Sequence, residues 1–195
     1  MELSRHLDLG CGVNPRNPYG RDRLYAVDIL PSPADKADTI KRADLATENI
    51  PFEGNFFDSV SAYDFLEHVP RAMWLSCRGE LIFPFVQLMS EIWRVLKPDG
   101  LFYAVTPAYP RPEAFADPTH VNIITVRTHR YFVEPHCGAR LYGFTGRFRV
   151  RRVKWIRPKY EFEPVQLNAR QMLRKAGDLL RNRNSHLLWE LQAIK

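Results

Sequence analysis

Residues 7–15 read LDLGCGVNP, and the way this stretch stops being a strand decides how the chain folds. The apolar run over residues 6–9 breaks into Gly10-Cys11-Gly12. Two glycines let a backbone bend sharply and come within van der Waals distance of a ligand, because no Cβ intervenes. No helix is expected to follow directly, since NPRNPYG at residues 14–20 holds two prolines and a glycine. Beyond it LYAVDI, residues 24–29, reads as a second apolar strand ending in Asp28. In an open parallel sheet, ligands sit past the carboxyl ends of the strands, where strand order reverses. A carboxylate at the second strand's tip can accept both hydroxyls of a ribose, each charge-assisted bond contributing roughly 1.5–3 kcal/mol. A dinucleotide site would need GxGxxG opening into a helix whose amide end meets a pyrophosphate. Pro15 occupies the third glycine position, so an adenosine compound carrying an amino acid suits this turn better than one carrying phosphates.

Period-2 and fully apolar runs predict strands at residues 6–9, 23–28, 57–62, 100–106, 147–156 and 186–194. Helical spacing predicts a helix over residues 84–96, with Phe85, Leu88, Met89, Ile92 and Leu96 on one face, Pro84 in its first turn and KPDG as its stop. A second helix is predicted over residues 168–180, its apolar stripe formed by Ala169, Met172, Leu173, Ala176, Leu179 and Leu180. Strands alternating with helices imply crossover connections and a mainly parallel sheet. In RFRVRRVKWI, residues 147–156, the apolar phase switches from Phe148 and Val150 to Val153 and Trp155. A one-residue bulge at Arg151 or Arg152 restores a single buried face. The arginines and Lys154 around it read as a solvated strand face. Trp189, in SHLLWELQAIK, reads as core.

A chain of 195 residues fits one domain, residues 1–195. Hydrophobic residues at 45% and charged residues at 26% exclude a disordered or fibrous chain. The longest apolar stretch, residues 81–89, is half a bilayer span and is interrupted by Pro84, so no membrane segment is expected. The opening MELSRHLDLG lacks the basic-then-apolar order of a secretion signal, and a cytoplasmic location is expected. Cys11, Cys77 and Cys137 show neither CxxC nor metal-ligand spacing, so neither a disulfide framework nor a metal site is expected. A net charge of +6 and a pI near 9.4 suit an anionic partner: a nucleotide, a phosphorylated sugar or nucleic acid.

The motifs LDLGCG, VDI, ADL at residues 43–45, FDSVSAYDFLEHVP at 57–70 and EIWRVLKPDGLFYAVTP at 91–107 together resemble the successive motifs of class I S-adenosylmethionine-dependent methyltransferases, over residues 7 to about 135. The resemblance implies an α/β, three-layer α/β/α Rossmann-like fold whose seven-stranded, mostly parallel sheet has the order 3-2-1-4-5-7-6, the last strand antiparallel. It also implies S-adenosyl-L-methionine as cofactor. Carried over by position, Asp8 buttresses the glycine turn, Gly10 and Gly12 border the methionine moiety, and Asp28 holds the ribose. Asp44 meets the adenine amine and Leu45 packs on the ring, while Tyr63 and Asp64 lie beside the sulfonium. The residues also allow plainer roles: Asp44 as cap of the ATENI turn, Asp28 as a helix cap. Departures are visible. Asn14 replaces the third glycine of GxGxG, and both early crossovers are short, a compression resembling a branch associated with bacterial surface glycans. An amino-terminal helix over the cofactor is expected to be replaced or lacking, with residues 71–83 and 108–121 the candidate lids.

Methyl transfer from a sulfonium is an in-line displacement in which positive charge dissipates, so positioning supplies much of the rate. A hydroxyl acceptor must also lose a proton to a base within reach. TPAYPRPEAFADPTHVNIIT, residues 106–125, is stiffened by proline and follows a strand tip on the ligand side. It supplies His120 as first candidate base, His68 of LEHVP being the second, and Tyr109, Phe115, Asp117 and Thr119 as acceptor contacts. A plainer alternative has Asp117 and His120 bracing the loop by bonding each other. The expected function is methylation of a hydroxyl on a small molecule or glycan. Two alternatives are methylation of nucleic acid, against which the YDFL sequence after the fourth strand argues, and cofactor binding without turnover.

Overall fold

The computed structural model describes residues 2–30, 37–77, 79–161, 168–180 and 183–195. A seven-stranded sheet runs through it, formed by β1 (Arg5–Leu9), β2 (Arg23–Asp28), β3 (Thr39–Arg42), β4 (Phe57–Tyr63), β7 (Leu96–Pro107), β8 (Phe148–Ile156) and β9 (His186–Ala193). A separate two-stranded hairpin, β5 (Met73–Leu75) and β6 (Glu80–Ile82), stands between β4 and α1 (Pro84–Val95). The sheet order is β3-β2-β1-β4-β7-β9-β8. Counted within that sheet alone, this is the expected 3-2-1-4-5-7-6. Pairings from β3 through β7 are parallel, while β9 is antiparallel to both its neighbours. Strand order reverses between β1 and β4, which sets the ligand side of the sheet at their carboxyl ends.

Alternation in β1 assigns the two faces. Leu7 and Leu9 enter the main core with Val27, Val60, Ala62, Phe102 and Ala104, against Phe85, Leu88, Met89 and Ile92 of α1. Pro84 opens that helix where its missing N–H costs nothing. The opposite face carries His6 and Asp8 beside Ser59 and Ser61, all fully buried or nearly so. A loop covers them, because residues 10–22 form no helix, as the prolines foretell. Tyr19 lays its ring against Tyr103, centroids 6.0 Å apart, and its hydroxyl donates to Glu190 over 2.8 Å. Arg16 lies over the Tyr63 ring at 4.5 Å. Over β1 and β4, then, the second layer is a loop in place of a crossover helix.

The register of β8 on β9 shifts between Val150 and Arg152, so the bulge falls at Arg151. Trp189 is completely buried. Two short elements escaped the sequence reading: β3, whose TIKR alternates weakly, and the β5–β6 hairpin. Short α2 (Glu113–Ala116) and α3 (Pro158–Glu161) precede α4 (Ala169–Leu180). The predicted stripe of α4 is not buried: Met172 is 60% and Leu173 75% exposed, and the Leu179 and Leu180 side chains lie outside the described residues. Asp178 holds that helix by bonding Arg157 and Arg183. Most of the second crossover, residues 31–36, also lies outside the described residues.

Candidate active site

The carboxyl ends of β3, β2, β1, β4 and β7 form one edge, and the candidate residues fall along it. Gly10 and Gly12 both adopt left-handed backbone, φ +62° and +53°, which only glycine takes without strain. Their surroundings differ. A Cβ on Gly10 would strike the Phe65 ring at 2.4 Å, so this glycine makes room for a neighbouring side chain. A Cβ on Gly12 would meet nothing within 4 Å. The open backbone is therefore at Gly12, and Gly10 makes room for the Phe65 ring.

Asp8 bonds the loop that follows the turn. Its Oδ2 accepts Arg16 N–H over 2.9 Å, and its Oδ1 accepts the Ser61 hydroxyl over 2.5 Å. With that proton committed, Ser61 Oγ accepts from His6 Nε2 over 2.8 Å, and His6 Nδ1 accepts from the Ser59 hydroxyl over 2.7 Å. Burial, helped by the Arg21 charge, drives the His6 pKa down to about 3, so the ring is neutral and the chain fully satisfied. Asp8 and Asp28 surround Cys11, whose thiol is pushed up to about 12, mostly by burial.

Asp28 sits at the end of β2 with Oδ2 accepting Gly12 N–H and Oδ1 accepting Leu30 N–H, each at 2.9 Å. It joins the bare turn directly, and a carboxylate with about four acceptor positions retains capacity after two bonds. Asp44 lies beside it, since β2 and β3 pair Asp28 with Arg42 and Ala43 N–H bonds the Asp28 carbonyl. Asp44 Oδ1 accepts Ala46 N–H over 3.0 Å, so it caps the ATENI turn. Leu45 is buried in the main core and turns most of its surface to protein. Tyr63 ends β4, but its side chain is buried in the smaller cluster with Tyr103 and Val105. Asp64, at φ +46°, projects outward and pairs with His186 Nε2 over 3.1 Å.

The turn after β4, a 3-10 segment at Leu66–His68, is clamped to residues 117–123. Val121 and Asn122 donate backbone N–H to the Glu67 carbonyl, and the Asn122 side chain donates to the Leu66 carbonyl over 3.0 Å. Arg71 donates to Asn122 Oδ1 over 2.7 Å and to the Ile123 carbonyl. This clamp brings His68 and His120 together, ring centroids 4.9 Å apart. It also brings in Glu67, which the sequence reading passed over. Glu67 is 1% exposed; its Oε2 accepts the Thr106 hydroxyl over 2.9 Å, and its Oε1 has no hydrogen-bond partner. Burial pushes its carboxyl up to about 8, and the Asp64 charge adds to the push. A carboxylate beside a histidine at the end of a turn flanked by buried Leu66 and Val69 was the available signal.

Asp117 bonds His120 through the main chain, its carbonyl accepting His120 N–H over 3.1 Å, while its carboxylate turns to Thr119 instead of the His120 ring. Its Oδ1 accepts from the Thr119 hydroxyl over 2.6 Å and from Thr119 N–H, and that hydroxyl bond holds the Asp117 pKa down. Thr119 Oγ lies 3.0 Å from His68 Nδ1, while His120 Nδ1 reaches the Ala114 carbonyl over 3.2 Å. Tyr109 and Phe115 are more than half exposed and pack edge to face at 6.4 Å. Nearby, a cavity of about 460 Å³ is lined by Arg71, Phe83, Phe85, Arg127, Tyr131 and Tyr142, among others. Both candidate lids contribute to this region, residues 71–83 to the cavity wall and 108–121 to the clamp.

Residues 7–104 match the family described as Methyltransferase domain. Among solved structures, a chain from the Haloferax volcanii complex containing the Trm112 methyltransferase activator has a TM-score of 0.61 at 16% identity, covering 100% of this chain and 84% of that one. The S-adenosylmethionine-dependent methyltransferase of Mesorhizobium loti has a TM-score of 0.58 at 18% identity, with 98% and 93% covered. One from Archaeoglobus fulgidus has 0.54 at 14%, with 97% and 86% covered. At these identities the likeness is one of fold. No curated protein matches the sequence. No helix among the described residues is long and apolar enough to cross a membrane. With that family match spanning half its length, and with a bare Gly12 beside the acid-tipped strands β2 and β4, the chain belongs to the S-adenosylmethionine-dependent methyltransferases, and S-adenosylmethionine is its cofactor.

Proposed function

We propose that this chain methylates a hydroxyl group on a small molecule or glycan. The observation that carries the reading is the position of Glu67, His68 and His120. They stand on the same sheet edge as Gly12 and Asp28: Glu67 and His68 in the turn after Phe65, whose ring covers Gly10, and His120 in the segment clamped to that turn. Nitrogen and carbon acceptors with a free lone pair or an activated carbanion need no such proton-handling cluster, whereas a hydroxyl does.

Bound S-adenosylmethionine supplies an electrophilic methyl on a sulfonium. In this reading the Asp28 carboxylate takes the ribose hydroxyls through its remaining lone pairs, and Asp44 offers its second oxygen to the adenine amine. Gly12 lets backbone approach the amino-acid end. Asp64, half exposed at the tip of β4, faces the same side. His120 Nδ1 donates to the Ala114 carbonyl, which leaves Nε2 bare to take the acceptor's hydroxyl proton. The exposed Tyr109 and Phe115 rings, and the cavity beside Arg71, form the acceptor wall, and Asp117 and Thr119 hold the His68 ring.

Incubating full-length protein with methyl-labelled S-adenosylmethionine and separate panels of phenols, sugars, glycan extracts and RNA tests this. Label is expected on a phenol or sugar oxygen, and His120→Ala is expected to lower kcat by about a hundredfold. Label on RNA alone, or on a nitrogen or carbon, would overturn the assignment.

A further inference from the structure

We infer that Glu67, His68 and His120 form a binding site for one divalent first-row metal ion, such as Mn²⁺ or Zn²⁺. One donor atom from each residue lies within 4.8 Å of the other two. The sequence offered no hint, because the expectation of no metal rested on the cysteines, while these ligands come from segments about fifty residues apart.

Three features go beyond proximity. First, Glu67 Oε1 is buried, aimed at His120 Nε2 from 4.0 Å, and bonded to nothing. That separation is too long for a hydrogen bond, and a polar atom left without a partner in a side chain 2% exposed is costly unless one enters. Second, each ligand's other polar atom is fixed from outside. Thr106 donates to Glu67 Oε2. The Ala114 carbonyl fixes the His120 tautomer with Nδ1 protonated. For His68, the Thr119 hydroxyl spends its proton on Asp117 Oδ1, so Thr119 Oγ must accept from His68 Nδ1. Both rings thereby carry their lone pair on Nε2. Such outer bonds, ring N–H to carbonyl or to a carboxylate-linked hydroxyl, are how metal-ligating histidines are held.

Third, the donor set is selective. Two imidazoles and a carboxylate suit Zn²⁺, Mn²⁺ or Fe²⁺ over Mg²⁺ and Ca²⁺, which prefer oxygen. Metal–ligand bonds of about 2.0–2.2 Å require the donors to close by roughly 1 Å, a shift that falls mainly to His68, since the His120 side chain is 9% exposed. Three protein ligands leave coordination positions open for an exogenous oxygen. Resting on the proposed function, that oxygen belongs to the acceptor hydroxyl. Its O–H proton leaves to solvent, the oxygen then bonds the methyl carbon, and the C–S bond breaks onto sulfur. With the ion in place His120 Nε2 is a ligand and no longer the proton acceptor.

The test is Mn²⁺ binding to chelator-treated full-length protein, read by loss of the free-ion electron paramagnetic resonance signal, beside calorimetric binding of S-adenosylhomocysteine. Wild type is expected to take up one equivalent of Mn²⁺ and to release it to Zn²⁺, following the affinity order. Glu67→Gln is expected to abolish uptake, and Thr119→Val, at an exposed position, to weaken it about tenfold. If Glu67→Gln does not fold, Thr119→Val decides. No uptake by wild type, or wild-type affinity in Thr119→Val, would overturn the metal site. S-adenosylhomocysteine binding without Mn²⁺ uptake removes the ion and leaves the transferase reading, whereas Mn²⁺ uptake without S-adenosylhomocysteine binding does the reverse.

Discussion

Replacing each glycine of the turn by alanine separates packing from ligand binding. Both residues have positive φ, +62° at Gly10 and +53° at Gly12, so each substitution carries a left-handed penalty of about 1–2 kcal/mol. At Gly10 the new methyl also meets Phe65 Cδ2 at 2.4 Å, Cγ at 2.6 Å and Cβ at 3.0 Å. The ring root cannot simply rotate away, because Cβ itself is in contact, and overpacking of this kind adds about 1–3 kcal/mol. Gly10→Ala is therefore expected to lose about 3 kcal/mol in urea unfolding, or about 6–12 °C in Tm for a chain of this size. Gly12→Ala faces open space and is expected to lose about 1 kcal/mol, or about 2–4 °C. Its methyl points where the cofactor's amino-acid end is proposed to lie, so calorimetry with S-adenosylhomocysteine should show at least a tenfold weaker Kd, about 1.4 kcal/mol. Equal stability losses in the two variants, or unchanged affinity in a folded Gly12→Ala protein, would contradict the division of roles between Gly10 and Gly12.

Asp28→Ala removes the carboxylate proposed for the ribose and is expected to weaken S-adenosylhomocysteine binding by roughly ten- to a hundredfold, the loss of one or two charge-assisted bonds; calorimetry giving an unchanged Kd would exclude the ribose role. His6 binds its proton less well folded, near 3, than unfolded, near 6.5. Its neutral form therefore stabilises the fold fully above pH 6.5, and that contribution is lost as pH falls toward 3. Urea unfolding at pH 7, 6 and 5 should show a decline approaching 1.4 kcal/mol per pH unit below 6.5 that His6→Gln lacks, and parallel curves for the two proteins would contradict it. Cys77 is exposed while Cys11 and Cys137 are buried, and burial raises both of those thiols; iodoacetamide followed by mass spectrometry should label Cys77 first, and prompt labelling of Cys11 in native protein would count against the turn's packing.

The main strand runs and the glycine turn were legible because they depend on local rules: apolar periodicity, the φ freedom of Gly10 and Gly12, and prolines that forbid a helix before Arg21; the sheet order came from the family resemblance. Asp28 was legible as the acid at a strand tip, and it bonds Gly12 N–H in the turn beside it. What escaped depends on distance in sequence. His6 and Asp8 look like interruptions of an apolar strand until β4 pairs them with Ser59 and Ser61. Glu67 becomes notable only when residues 117–122 fold onto it, and Asp117 turns to Thr119 because the hydroxyl is two residues away whereas His120 is claimed by Ala114. Leu45 and Tyr63 sit beside motif residues but alternate inward, into the two cores. The short β3 and the hairpin are set by pairing more than by composition.

A crystal structure of the chain with S-adenosylhomocysteine would locate the cofactor outright. The ribose hydroxyls are expected within hydrogen-bond distance of Asp28, the amino-acid end over Gly12, and the sulfur facing the cluster of Glu67, His68 and His120. A nucleoside seated away from Asp28, or a sulfur turned from that cluster, would contradict that placement.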